Sequence, residues 1–228
     1  MHWIRRAILA TALAGATALQ ATAQPASPAP SGRFIVVLDA AHGGADTGAR
    51  LASGQAEKSA TLALSVRLRS LLSARNIAVV TTRESDATLD ANRRATVTNH
   101  AAAQACLSLH ASESGSGVHL FVSSLAPAPA TNFPAWKTAQ AAWVTRSIAL
   151  AGALNSALLH AGINVTLERT TLSAVDSMIC PAVAVEIAPA RSPDGKVTAE
   201  PDDAAYQARV AAALVAALAD FRTEARQP

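Results

Sequence analysis

The apolar run Val36-Val37-Leu38 passes through Asp39-Ala40-Ala41 and breaks at once into His42-Gly43-Gly44. The run reads as a buried strand, and the two glycines force a tight loop directly behind it, so a histidine is delivered at a strand end. A histidine in that position is commonly just accommodated by its surroundings. Two later stretches give this one partners: Gly54-Gln55-Ala56-Glu57-Lys58 and Leu107-Ser108-Leu109-His110. His42, Glu57 and His110 together supply two imidazoles and one carboxylate. That donor set suits a catalytic zinc whose fourth position is left to water or substrate. Taken alone, Glu57 also reads as an ordinary acid in a first helical turn, favoured by the helix dipole.

The remaining chain alternates helical and extended patterns. Helices are expected from Glu57 to about Arg75, from Ala91 to Ala105, from Lys137 to His160 and from Pro201 to Phe221. Strands are expected over Ile77 to Thr82, Cys106 to Leu109, Val118 to Val122 and Val183 to Val185. Ser123 to Pro134, rich in Pro and Ala, reads as an exposed loop. The alternation argues an α/β fold, three-layer α/β/α with a mostly parallel sheet flanked by helices. In open sheets of this kind chemistry gathers outside the carboxyl ends of the strands, where His42, His110 and Glu186 all fall. Glu186 also ends an otherwise apolar strand, where a charge needs a reason to exist; a structural pairing with Arg169 or Arg191 is the alternative.

These motifs resemble the zinc-dependent N-acetylmuramoyl-L-alanine amidases that cut peptidoglycan, whose first motif reads Asp-x-x-His-Gly-Gly. The likeness runs from about Phe34 to Phe221 and includes Gly54 to Lys58, Arg83 with Asp86, Arg94, Asn99, His110 and Ala182 to Glu186. It implies one zinc held by His42, Glu57 and His110, with Glu57 fifteen residues after His42 as in the family. It places the catalytic glutamate at Glu186, and Arg169 matches an arginine that could steady substrate or the transition-state oxygen. Arg83 and Asp86 are expected to form an ion pair or loop clamp. The implied reaction is hydrolysis of the amide between N-acetylmuramic acid and L-alanine in peptidoglycan. Two other readings are an inactive envelope protein that binds peptidoglycan or a partner, and a zinc hydrolase of another amide. Departures lie beside the site: Ala40-Ala41 stands where Pro-Gly is usual, Ala111-Ser112 where Ala-Asn is common, and Ile187-Ala188-Pro189 follows Glu186 without the usual glycine.

Residues 1–23 carry Arg5 and Arg6, an apolar stretch from Ala7 to Leu19, and Ala21-Thr22-Ala23. This is the pattern of a cleaved export signal, too short to span a membrane as a helix. It implies a periplasmic or secreted protein. Residues 24–33 form a Pro/Ala/Ser-rich linker, and residues 34–224 are the expected catalytic domain. No later stretch is expected to span a bilayer. The formal charge of +3 includes Arg5 and Arg6, so the exported part is closer to neutral and its charge does not argue for nucleic acid. Peptidoglycan is the implied partner, and no motif identifies an activating protein.

Among the other residues, His100, His119 and His160 are expected on surfaces or helix faces, and Glu113 as a solvated loop acid. Trp136 and Trp143, one heptad apart, are expected in the core. If Cys106 and Cys180 lie on parallel strands, their offset of roughly 7 Å along the strands exceeds comfortable disulfide reach, which predicts two buried thiols.

Overall fold

The computed structural model describes residues 33–131 and 135–224; the expected signal and nearly all of the linker lie outside the described residues. In chain order the elements are β1 (Ile35–Ala40), α1 (Glu57–Ser73), β2 (Ala78–Thr81), α2 (Ala91–His100), β3 (Ala105–Ala111), β4 (Val118–Ser123), α3 (Val144–His160), β5 (Val165–Thr170), β6 (Ala182–Ile187), β7 (Ala190–Arg191), β8 (Val197–Ala199) and α4 (Ala204–Glu224). A 3₁₀ segment, Trp136–Ala142, precedes α3, and a second, Val175–Ser177, precedes β6.

Six strands form one sheet in the order β2-β1-β3-β6-β4-β5, and β7 and β8 form a separate hairpin. All neighbours in the large sheet are parallel except β4 with β6. Strand alternation divides the side chains between the two faces. Leu107, Leu109, Val183 and Val185 enter the larger core with Leu64, Leu68 and Leu72 of α1, Leu150, Leu154 and Leu158 of α3, and Val210, Leu214 and Leu218 of α4. Leucines spaced by four residues on each helix supply that stripe. The intervening residues Cys106, Ala182 and Ala184 face the other way, toward Val175 and Met178. There α2 and the 3₁₀ segments form the third layer, and His110 shares the face of Cys106.

Several expectations need correction. Cys106 and Cys180 form a disulfide, with Cα atoms 6.3 Å apart. The expected two-residue offset is present, since Cys106 pairs with Ala182. Cys180, however, precedes β6 at a bend, and the Cys106 amide bonds the Pro181 carbonyl at 2.8 Å. The strand rise therefore does not set its reach. α2 stops at His100, because Ala102 takes a left-handed φ of 48° before β3 begins. The long helix expected from Lys137 is broken at Trp143, with α3 proper beginning at Val144. Trp136 is 42% exposed and Trp143 half-buried, so neither is a core residue. β5 and the β7–β8 hairpin were not expected; β5 is a polar, largely exposed edge strand without apolar alternation. α4 is long and apolar enough to cross a membrane by length and composition alone. Its apolar stripe is instead packed into the core.

Candidate metal centre on the open sheet face

The turn after β1 is built from backbone conformations that side chains resist. His42 itself has φ 60°, followed by Gly43 at 133° and Gly44 at 60°. A side chain at Gly43 would strike the Ala87 carbonyl, and one at Gly44 would strike Thr88. Holding a histidine in the left-handed region costs on the order of 1 kcal/mol or more. Two buried arginines hold the turn. Arg94 donates to the Asp39 carboxylate at 2.7 Å, the Ala40 carbonyl at 2.7 Å and the His42 carbonyl at 2.5 Å. Arg83 donates to the carbonyls of Ala40, Ala41 and Lys58. Arg83 is thus the loop clamp that was anticipated. Asp86 pairs instead with Lys58 at 2.6 Å and accepts the Gly44 amide at 2.7 Å.

Glu57 opens α1 with its side chain turned inward. One carboxylate oxygen lies 3.1 Å from His42 Nε2 and accepts the Ala49 amide at 2.9 Å. The other lies 3.1 Å from His110 Nδ1 and accepts the Ala111 amide at 3.1 Å. Gly48, at φ 64°, passes so close that a Cβ would sit 2.6 Å from both Glu57 and the His42 ring. The two imidazoles stand edge to face with centroids 5.7 Å apart. Asp46, which the sequence reading passed over, bonds His42 Nδ1 at 2.9 Å and orients that ring. Its cue is its place four residues after His42, behind the glycine pair.

Burial alone would raise the Glu57 carboxyl. Hydrogen bonds from His110, His42 and the two amides outweigh it and hold the group well below the usual carboxylate range. The bond to Glu57 lifts His42 above its ordinary value; burial opposes this, and Asp46 adds to the rise. The donor atoms of His42, Glu57 and His110 lie within 4.8 Å of one another. Two imidazole nitrogens and an ionised, buried carboxylate converging at a half-exposed position fit a zinc site with room for an exogenous ligand.

Glu186 lies directly beside His110 in the β3–β6 register, on the same face. It helps line a cavity of about 340 Å³ with His110, Phe121, Thr170, Leu172 and Ala184. Neither arginine proposed as its structural partner reaches it. Arg169 donates to the carbonyls of Ser123 and Leu125, and Arg191 to those of Gly115 and Gly195. Its partner is His119 Nδ1, at 3.2 Å. His119, expected on a surface or helix face, lies instead on β4 opposite Glu186, a position that depends on β4 running antiparallel to β6. His100 and His160 do fall on helix ends, bonded to the carbonyls four residues before them. Glu113 is exposed and outside the converging donors. Asn99 clamps the loop ahead of β6, donating to the Ser177 carbonyl and accepting the Ile179 amide.

The sequence profile of the N-acetylmuramoyl-L-alanine amidase family matches residues 36–220. Among solved structures, the catalytic domain of CwlV from Bacillus (Paenibacillus) polymyxa var. colistinus is 23% identical, with a TM-score of 0.64 over 83% of this chain and 98% of that one. Ami1 from Mycobacterium smegmatis is 22% identical, with a TM-score of 0.66 over 84% and 97%. CwlD from Clostridioides difficile, solved in complex with the GerS lipoprotein, is 18% identical, with a TM-score of 0.64 over 84% and 100%. No curated protein sequence matches the chain.

Proposed function

The chain belongs to the N-acetylmuramoyl-L-alanine amidase family, hydrolases of the amide between N-acetylmuramic acid and L-alanine in peptidoglycan, and we propose that it works with one zinc held by His42, Glu57 and His110 and with Glu186 as proton carrier. The observation that carries this reading is the convergence of those three donors within 4.8 Å, one strand away from an acid that, among the described residues, pairs with His119 and with no arginine.

An amide is a poor electrophile with a poor leaving group. Zinc bound at these donors supplies a Lewis acid for the carbonyl and lowers the pKa of water to about 7. The protein's own part is to present the donors in the right protonation state. Glu57 is ionised as it stands, and His42 must release its Nε2 proton to solvent before that nitrogen can ligate, while Asp46 keeps the hydrogen on Nδ1. Glu186 takes a proton from the attacking water and returns it to the departing alanyl nitrogen, which cannot leave as an amide anion. Phe121 and Ala184, on the same face, give an apolar floor suited to the small lactyl and alanyl groups. Arg169 has both its contacts committed to the carbonyls of Ser123 and Leu125 and pairs in register with Val122, on the sheet face away from Glu186, so we assign it to bracing the exit of β4.

Residues 1–23 act in this reading as an export signal, and residues 24–33 as a tether to a catalytic domain of residues 34–224. The buried disulfide supports an oxidising compartment, periplasmic or extracellular. The test is to incubate zinc-loaded protein with purified sacculi and identify the released fragments by mass spectrometry. Free stem peptides beginning with L-alanine, with intact glycan strands, are expected. Sacculi left unchanged, or cleavage only at another bond, would contradict the proposal.

A further inference from the structure

The sheet has one antiparallel step, between β4 and β6, and it places His119 directly across from Glu186. Opposed residues in such a pair keep their side chains on one face with Cβ atoms about 5 Å apart. A row therefore crosses three adjacent strands: His110 on β3, Glu186 on β6 and His119 on β4. We propose that His119 is a positioning residue for Glu186, fixing one carboxylate oxygen so that the other is aimed at the reacting groups. This rests on the reading of Glu186 as proton carrier.

Three observations support it. The first is the contact itself: His119 Nδ1 lies 3.2 Å from Glu186 Oε1. A carboxylate can only accept, so Nδ1 carries the hydrogen. The second is that Glu186 needs such a partner. Its side chain keeps 29% exposure on the open sheet face, and among the described residues His119 is its one side-chain hydrogen-bond partner. A glutamate with several rotatable bonds in that setting samples orientations in which neither oxygen meets substrate, and proton transfer requires hydrogen-bond reach.

The third is that the imidazole is itself held. The Phe121 ring meets it edge to face, with centroids 6.2 Å apart and planes at 84°. Gly115, at φ 86°, lies against its far edge; a Cβ there would collide with Cε1 and come within 2.8 Å of Nε2. The ring is thus wedged between an aromatic and a bare backbone, its Nδ1 toward Glu186. Positioning groups of this sort fix the geometry of a functional side chain without touching substrate.

The experiment measures kcat and KM on a soluble N-acetylmuramoyl-peptide for zinc-loaded wild type, His119→Ala, His119→Asn, Glu186→Gln and the His119→Ala/Glu186→Gln double variant, with zinc content and melting temperature for each. His119→Ala is expected to lower kcat about 10- to 100-fold, the range typical of orienting partners, with KM and zinc content unchanged. His119→Asn, whose amide can stand in for Nδ1–H, should recover most of that loss. In the double variant the His119→Ala change should add nothing to the Glu186→Gln loss. If Glu186→Gln is crippled but His119→Ala turns over like wild type, the positioning role is overturned and the proton-carrier reading stands. Equal losses in Ala and Asn accompanied by a lower melting temperature also overturn it, as a structural contact would behave that way. Near-normal turnover of Glu186→Gln removes the proton carrier and the positioning role with it.

Discussion

Breaking the Cys106–Cys180 bridge in the Cys106→Ala/Cys180→Ala variant is expected to destabilise the protein without disabling the folded molecule. The two cysteines are 74 residues apart, and the bridge closes a loop from the start of β3 to the approach to β6. On the chain-entropy relation, a closed loop of that size stabilises the native state by about 4 kcal/mol, between the values for much shorter and somewhat longer loops. For a domain of this size that corresponds to a fall of roughly 8–16 °C in melting temperature. Both sulfurs are buried, so truncating them adds a small cavity loss in the same direction. The register from Cys106–Ala182 up to His110–Glu186 is held independently by the ladder. Turnover per folded molecule should therefore be retained well below the melting point. The assay is thermal unfolding of oxidised wild type, wild type with reductant, and the variant, with zinc occupancy matched. A shift of only a degree or two would refute the entropic argument, and full stability with lost turnover would mean that the bridge shapes the site.

Arg94→Met should cost about 3–5 kcal/mol in urea unfolding, because it strands the buried Asp39 carboxylate that Arg94 contacts at 2.7 Å. It also frees the His42 carbonyl, so zinc affinity should fall; a loss of less than about 1 kcal/mol would show that Thr82 and Ser108 suffice for Asp39. Metal-free His42 has its pKa raised above the unfolded value. Its interactions therefore stabilise the metal-free fold at pH below the unfolded pKa, and that contribution is lost as pH rises through the folded pKa. Zinc must displace that proton, so affinity measured by chelator competition should climb with pH to a midpoint above about 6.5, and a midpoint lower than this would contradict the pairing with Glu57 and Asp46. The Glu57 carboxylate runs the other way, contributing stability above its unfolded pKa that is lost as acid titrates it toward its depressed folded value.

The convergence of the candidate site's donors is more legible in the sequence than the fold around it. His42, Glu57 and His110 stand where a strand meets glycines, where a helix begins and where a second strand ends, and these local patterns survive folding. Glu186 was visible as a charge in an apolar strand. What was not legible depends on relations between distant segments or on single dihedrals. His119 acquires its partner from the antiparallel β4–β6 step, and the disulfide depends on a bend at Cys180 just before β6. The end of α2 is set by a left-handed Ala102, a conformation no alanine announces. β5 escaped notice because an exposed edge strand reading Val-Thr-Leu-Glu-Arg-Thr has no buried face to impose alternation. Trp136 followed neither periodicity nor burial; its indole donates to Asn92 at 3.1 Å on the surface.

The most direct test of the central claim is a zinc titration of turnover. Protein stripped with a chelator is given increasing zinc while hydrolysis of a defined N-acetylmuramoyl-L-alanyl peptide is followed, for wild type and for His42→Ala. Activity should be absent after stripping and rise to a plateau at one zinc per chain in the wild type, with the variant silent at the same concentrations. Turnover that survives stripping, or a His42→Ala protein that reaches the wild-type plateau at the same zinc, would contradict the assignment of His42, Glu57 and His110 as the metal site.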